Sequence, residues 1–132
     1  MEQREYLIDS NAVVDYLSKK FDISQMIFMN EIIDKIPNLS VISKIEVLSF
    51  NASEEYTNLL ADFISDAIVI DLTTDIVDRT ILLRKKHKIK LPDAIIAATA
   101  LVFNHTIITN NEKDFANIKS LKVLNPYKIS VK

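Results

Sequence analysis

The chain has 132 residues, 48% of them hydrophobic, which is enough for one globular domain (1–132) with a core of its own. It contains neither glycine nor cysteine, which excludes glycine-dependent phosphate and dinucleotide loops, disulfides and thiolate metal sites. A formal net charge of −2 and a pI near 5.7 argue against a generally basic, nucleic-acid-coating surface. Turns have to be made by Asn, Asp, Ser and Pro, which tolerate or pre-set turn geometry. No apolar run is long enough to span a bilayer, and the opening Met-Glu-Gln-Arg-Glu lacks the apolar stretch of a secretion signal. A reducing cytoplasm is the expected setting.

Tyr6-Leu7-Ile8 is a short apolar strand ending in Asp9-Ser10-Asn11, a polar triplet with the composition of a turn and helix cap. Ala12, Val13, Tyr16 and Leu17 then repeat at helical spacing. A second helical stretch runs from about Ile23 to Ile36, with Ile23, Met26, Ile27, Ile32, Ile33 and Ile36 apolar, until Pro37-Asn38 breaks it. Leu39-Ser40-Val41 reads as a short buried strand. Ser43 is placed to cap the next helix, with Glu46 at capping-box spacing. Glu46 lies among Ile42, Ile45, Val47, Leu48 and Phe50, which predicts a partly buried carboxylate in want of a partner.

Asn51-Ala52-Ser53-Glu54-Glu55 marks a turn into a helix reaching about Ile64, and Ala67-Ile68-Val69-Ile70 is a strand by its β-branched content. Thr73 or Thr74 opens a further helix with Ile76, Val77, Thr80, Ile81 and Leu83 inward. That helix ends in Arg84-Lys85-Lys86-His87-Lys88-Ile89-Lys90, which is either a solvated helix end or a set of phosphate contacts. Leu91–Val102 follows, with Pro92 in its first turn and only Thr99 interrupting the apolar residues from Ala94 onward. Apolar on every side, it is predicted to be a buried central helix. Asp93 at its mouth either complements the helix dipole or marks a site. His105–Thr109 is a buried strand, Asn110–Phe115 a polar turn entering a short helix, and Val123-Leu124 a last strand closed by Asn125-Pro126.

Short apolar strands alternating with helices predict an α/β fold, a parallel sheet covered on both faces. In such a sheet functional residues collect beyond the carboxyl ends of the strands. Asp9 follows the first strand and the Asn110–Asp114 turn follows the fourth, while Glu46 and Asp93 lie early in helices that could reach the same crevice. An acidic cluster of this kind offers oxygen ligands suited to Mg²⁺ or Mn²⁺ and not to zinc. The chemistry that follows from such an ion is phosphodiester hydrolysis.

Four segments carry a resemblance. Leu7-Ile8-Asp9-Ser10-Asn11, Ser40-Val41-Ile42-Ser43-Lys44-Ile45-Glu46-Val47-Leu48, Leu91-Pro92-Asp93-Ala94-Ile95-Ile96-Ala97-Ala98-Thr99-Ala100 and Thr109-Asn110-Asn111-Glu112-Lys113-Asp114-Phe115 together resemble the PIN domain, most closely the VapC-type ribonuclease toxins of toxin–antitoxin pairs. The resemblance implies a three-layer fold with strand order 3-2-1-4-5 and a metal-dependent endoribonuclease. It also implies a homodimer held inactive by a small antitoxin protein. It assigns Asp9, Glu46 and Asp93 to the metal-binding, catalytic acidic positions, with Ser10, Asn11 and Thr109 supporting Asp9 or contacting phosphate. The fourth position, two residues after the strand-ending Thr109, is here Asn111, which offers a carbonyl oxygen but no charge. Asp114 is the alternative source of that carboxylate. Arg84, Lys85, Lys86, Lys88 and Lys90 become candidate RNA contacts, whereas His87 and His105 fall in no matching motif. Tyr6, Tyr16 and Phe103 read as core or interface residues rather than base-stacking platforms.

Two other readings compete. An aspartate-dependent phosphotransfer domain also puts an acid after its first strand, but a phosphatase would want a second Asp where this chain has Asn11, and Asp71 is an isolated match to a receiver. A metal-free PIN-like interaction module would keep its acids as relics.

Overall fold

The computed structural model describes residues 5–129. Strands β1 (Tyr6–Ile8), β2 (Asn38–Ser40), β3 (Ile68–Ile70), β4 (Thr106–Ile108) and β5 (Val123–Leu124) form one sheet in the order β3-β2-β1-β4-β5. Every neighbouring pair is parallel. Helices α1 (Ser10–Leu17), α2 (Ile23–Asp34), α3 (Val41–Leu48), α4 (Glu54–Asp66), α5 (Thr74–Lys86) and α6 (Leu91–Phe103) surround it. Two 3-10 turns, Glu112–Phe115 and Pro126–Lys128, flank β5. This is the α/β architecture that the alternation of strands and helices predicts and the strand order that the resemblance implies.

The alternation of side chains along the two central strands builds the layers. Leu7 and Ile107 stand in register and join a core with Ile76 and Leu83 of α5 and Ile95, Ile96, Ala97 and Ala98 of α6. One residue on, Ile8 and Ile108 are again in register but join Ala12, Val13, Met29, Leu39, Leu60 and Ile64 on the opposite face. One further step returns Asp9 to the side on which α6 begins. Every residue from Ala94 to Ala100 is buried, as an all-apolar helix requires. Thr99 satisfies its hydroxyl within the helix by donating to the Ile95 carbonyl at 2.7 Å. Each fully buried Ile is worth about 1.5–3 kcal/mol, and the alanines let this helix sit close to the sheet. Asn104, in the left-handed conformation at φ 57°, closes α6 where other chains use glycine.

Several local expectations are corrected. Ser40, not Ser43, caps α3, its hydroxyl accepting from the Ile42 N–H at 3.1 Å. Ser43 is instead buried inside the helix, and its hydroxyl has no partner among the described residues. Glu46 therefore has no capping role, and it is exposed rather than partly buried. Thr73 caps α5, but only Ile76, Thr80 and Leu83 face inward, while Val77 and Ile81 face solvent. Helix α2 ends at Asp34, and Ile23, Ile27 and Ile36 are exposed. Phe103 is exposed and stacks on His105 at 5.7 Å, so it belongs to no core. Left-handed turns fall on Lys19 and Ile36 as well as on Asn104, not only on the small polar residues.

Candidate active site

Asp9 directly follows β1 at the centre of the sheet, and with its extended backbone it is the N-cap of α1. The residue is only 5% exposed, so its carboxylate needs partners. It accepts from the Ser10 N–H at 2.9 Å, the Thr109 hydroxyl at 2.9 Å and the Asn11 amide at 3.1 Å. Thr109 lies one residue beyond β4, the neighbouring strand, and its hydroxyl accepts in turn from the Asn11 amide and the Asn111 N–H, both at 3.1 Å. Ser10, Asn11 and Thr109 thus stand where support of Asp9 requires them.

Burial, more than any other influence, raises the Asp9 carboxyl pKa. The bonds from Thr109, Ser10 and Asn11 work against it, and the charge of Glu46 adds to it. Glu46 reaches the site across the crevice, accepting from the Ser10 hydroxyl at 3.1 Å. Asp93 opens α6 half-buried, in a first turn that has no side-chain cap. Its pKa is also raised, first by burial, then by Asp114 and Asp9, with Lys90 opposing. Asp114 sits exposed in the 3-10 turn after β4. Asn111, just before that turn, is exposed and uses its backbone N–H on Thr109.

Glu46 therefore lies near enough to Asp9, and Asp9 and Asp114 near enough to Asp93, for their like charges to repel. Among the described residues, no three acidic or imidazole side chains converge closely enough to share an ion as they stand. The donor chemistry nevertheless fits a hard divalent cation: oxygens only, excess negative charge, and one carboxylate already oriented. Glu46 is exposed, and the Asp93 carboxylate makes no hydrogen bond among the described residues, so neither side chain is held away from Asp9.

An open cleft of about 450 Å³ adjoins the acids, lined by Arg84, Lys88, Ile89, Lys90, Asp93, Lys113, Asp114 and Asn117. The basic run is thereby divided. Arg84, Lys88 and Lys90 face this cleft, whereas Lys86 lines a different groove with Leu82, Leu101 and Ile118, and Lys85 faces neither of these two. Lys113 is a cation that the sequence reading missed. Its position between Asn111 and Asp114 was the available signal. Asn110 was also missed: its backbone N–H donates to the Asn11 side-chain carbonyl at 3.1 Å, fixing the loop after β4.

Fold and crevice define an α/β domain that gathers acids at the carboxyl end of a five-stranded parallel sheet. The chain belongs to the PIN-domain family, whose model matches residues 6–121. Within the family its likeness is to VapC-type toxins. A toxin–antitoxin complex from Klebsiella pneumoniae contains a chain with 32% identity and a TM-score of 0.72, covering 95% of this chain and 100% of that one. VapBC2 from Rickettsia felis, bound to a DNA fragment from their promoter, gives 27% and 0.74 over 91% and 97%. DNA-bound VapBC from Salmonella typhimurium, at 20% identity, shares the fold with a TM-score of 0.76 over 94% and 99%. Comparison with curated proteins returns no match. No helix among the described residues is long and apolar enough to cross a membrane.

Proposed function

We propose that this chain is an Mg²⁺- or Mn²⁺-dependent endoribonuclease and the toxin of a toxin–antitoxin pair, acting in the cytoplasm. The observation that carries the reading is Asp9, a deeply buried carboxylate oriented by three donors, with Glu46 and Asp93 felt through their charge. Asp9, Glu46 and Asp93 would hold the ion, with Asp114 as the fourth acid and Asn111 able to add a carbonyl oxygen. A divalent ion in such a site lowers the pKa of a bound water and stabilises charge on the transferring phosphate.

The chain's own residues supply the rest. Thr109, Ser10 and Asn11 hold the Asp9 carboxylate in one orientation, so this side chain would need little reorganisation when an ion or substrate arrives. Arg84, Lys88, Lys90 and Lys113 offer positive charge along the adjoining cleft, where RNA phosphates would lie. Lys90 has a second effect, opposing the rise in the Asp93 pKa and so favouring its ionised form.

The antitoxin partner is supported by the toxin–antitoxin complexes that the chain resembles. A homodimer belongs to the same reading, with Ile23 and Ile27 of α2 and Leu59 of α4 leaving apolar surface uncovered. The absence of a ready-made three-carboxylate ion cage among the described residues favours a second reading, a PIN-like interaction module without catalysis.

One titration separates the two readings. Mn²⁺ should raise the melting temperature and support RNA cleavage, excess EDTA should abolish cleavage, and Zn²⁺ should restore it poorly. A raised melting temperature without cleavage would favour the module, and full activity in chelator would remove the metal from the mechanism.

A further inference from the structure

We infer that Asp15, Asn110 and Tyr127 form a positioning relay that holds the loop after β4, and through it Asp9, from the 3-10 turn over Pro126–Lys128. The inference rests on the reading of Asp9 as part of the active site. Asp15 lies on α1 one helical turn beyond Asn11, and it is buried. A carboxylate so placed demands hydrogen-bond partners. It accepts from the Tyr127 hydroxyl at 2.8 Å and from the Asn110 side-chain amide at 3.1 Å, both on the same oxygen. Lys20 stands 3.9 Å from the other oxygen.

Asn110 is thereby pinned from two sides, since its backbone N–H donates to the Asn11 side-chain carbonyl at 3.1 Å. The Asn11 amide then donates to Asp9 at 3.1 Å. Tyr127 and Asp9 are thus joined by an unbroken series of hydrogen bonds through Asp15, Asn110 and Asn11. The far end is itself anchored. The Tyr127 ring packs on Phe21 at 4.6 Å, and its backbone carbonyl accepts from the Gln25 amide at 3.1 Å. Lys128, the next residue, pairs with Glu112, so the same turn also grips the loop just beyond Asn111. Releasing Asn110 would leave the Asn11 carbonyl without its donor, and the Asn11–Asp9 geometry would lose one of its constraints.

Tyr127→Phe removes only the hydroxyl that starts the relay, and Asp15→Asn keeps the shape of the buried group. Native-state amide exchange at Asn110 and Asn111 is compared with Ile107 and Ile108 in the sheet, beside Mn²⁺ affinity and cleavage kinetics. In Tyr127→Phe, exchange at Asn110 and Asn111 should quicken by about tenfold or more, while Ile107 and Ile108 hold their wild-type rates. Mn²⁺ affinity should weaken several-fold, and kcat should fall with KM nearly steady. Unchanged exchange at Asn110 overturns the relay. So does a uniform quickening of loop and sheet together, which would make Tyr127 a fastener of the whole fold. Should Asp15→Asn fail to fold, Tyr127→Phe decides the matter alone. If the wild-type protein neither binds Mn²⁺ nor cleaves RNA, the nuclease reading fails, and the exchange rates still decide the relay.

Discussion

The two ends of the one parallel sheet are built differently. At the carboxyl end, Asp9 and Thr109 leave the neighbouring strands β1 and β4 side by side, and a dense set of hydrogen bonds fixes Asp9 in place. At the amino end, residues leading into β4 and β2 carry costs without any matching chemistry. His105, before β4, is buried with its Nδ1 unpartnered among the described residues, and Ile36, before β2, holds a left-handed backbone at φ 63°. The carboxyl end is densely hydrogen-bonded around one buried carboxylate, and the amino end rests on the sheet's two cores. On the proposed function, substitutions at the carboxyl end should act mainly on activity, with Asp9 adding a cost in stability, and those at the amino end on stability alone.

The largest effects belong to the acids. Asp93→Asn should lower cleavage by about a hundredfold or more, which corresponds to roughly 3 kcal/mol of transition-state stabilisation. Its metal-free melting temperature should hold or rise, because Asp93 is a repelled carboxylate without a hydrogen bond to lose among the described residues. Asp9→Asn should be equally inactive but should also cost stability, since the carboxylate caps α1 and accepts from Asn11 and Thr109. Asp114→Asn should match Asp93→Asn in activity, with Asn111→Ala milder, because Asp114 is the acid that Asp93 feels most strongly. Wild-type cleavage by a well-folded Asp93→Asn protein would end the nuclease assignment.

The cations come next. Lys88→Gln or Lys113→Gln should raise KM for RNA about tenfold, or roughly 1.4 kcal/mol, and reduce the salt dependence of binding by about one counterion. Lys85→Gln should do neither, since Lys85 lies outside the cleft. Equal effects at Lys85 and Lys88 would mean that a diffuse positive field, and not this cleft, attracts the substrate.

What the sequence made legible follows from how local each cause is. The burial of α6 was readable because an all-apolar helix has one stable environment, and Asp93 was conspicuous as the charge at its mouth. Asp9 was readable because the acid directly follows the apolar residues of a strand. The cap of α3 was misplaced because Ser40 and Ser43 offer the same hydroxyl, and a shift of three residues changes no periodicity. Glu46 was misjudged because α3, like α5, has more apolar residues than its buried face of Ser43 and Val47 can use. The outward Val77 and Ile81 were misread because α5 carries more apolar residues than its buried stripe can use. The Tyr127–Asp15 bond joins residues 112 apart in the chain, a distance at which no local pattern operates. Lys113 was hidden in a motif read only for its acids.

At the amino end, Ile36→Asn should stabilise the protein by about 1 kcal/mol, because a β-branched side chain in the left-handed region costs roughly 1–2 kcal/mol and Asn tolerates it far better. Ile36 is exposed, so little burial is given up. Denaturant unfolding measures the gain, and the cleavage rate should not change. A loss of stability would place the Ile36 side chain in packing that outweighs its backbone strain.

The last and smallest effect is a pH dependence. Burial lowers the His105 pKa below its ordinary value, and the nearby Glu5, 3.5 Å from Nε2 but exposed, only partly offsets this. The folded protein therefore keeps the imidazole neutral at a pH where the unfolded chain already takes up a proton. By linkage, the stabilisation from neutral His105 is present above the ordinary histidine pKa near 6.5. It is lost as pH falls below that value towards the lowered folded pKa. Between pH 7.5 and 5.5 the wild-type melting temperature should fall more than that of His105→Gln, which cannot titrate, while cleavage at pH 7.5 stays equal in the two proteins. The difference between the two melting curves isolates the imidazole from carboxylates that titrate lower. Parallel curves would show that His105 exchanges its proton as freely in the fold as outside it, and a loss of cleavage in His105→Gln would show that the two ends of the sheet are coupled after all.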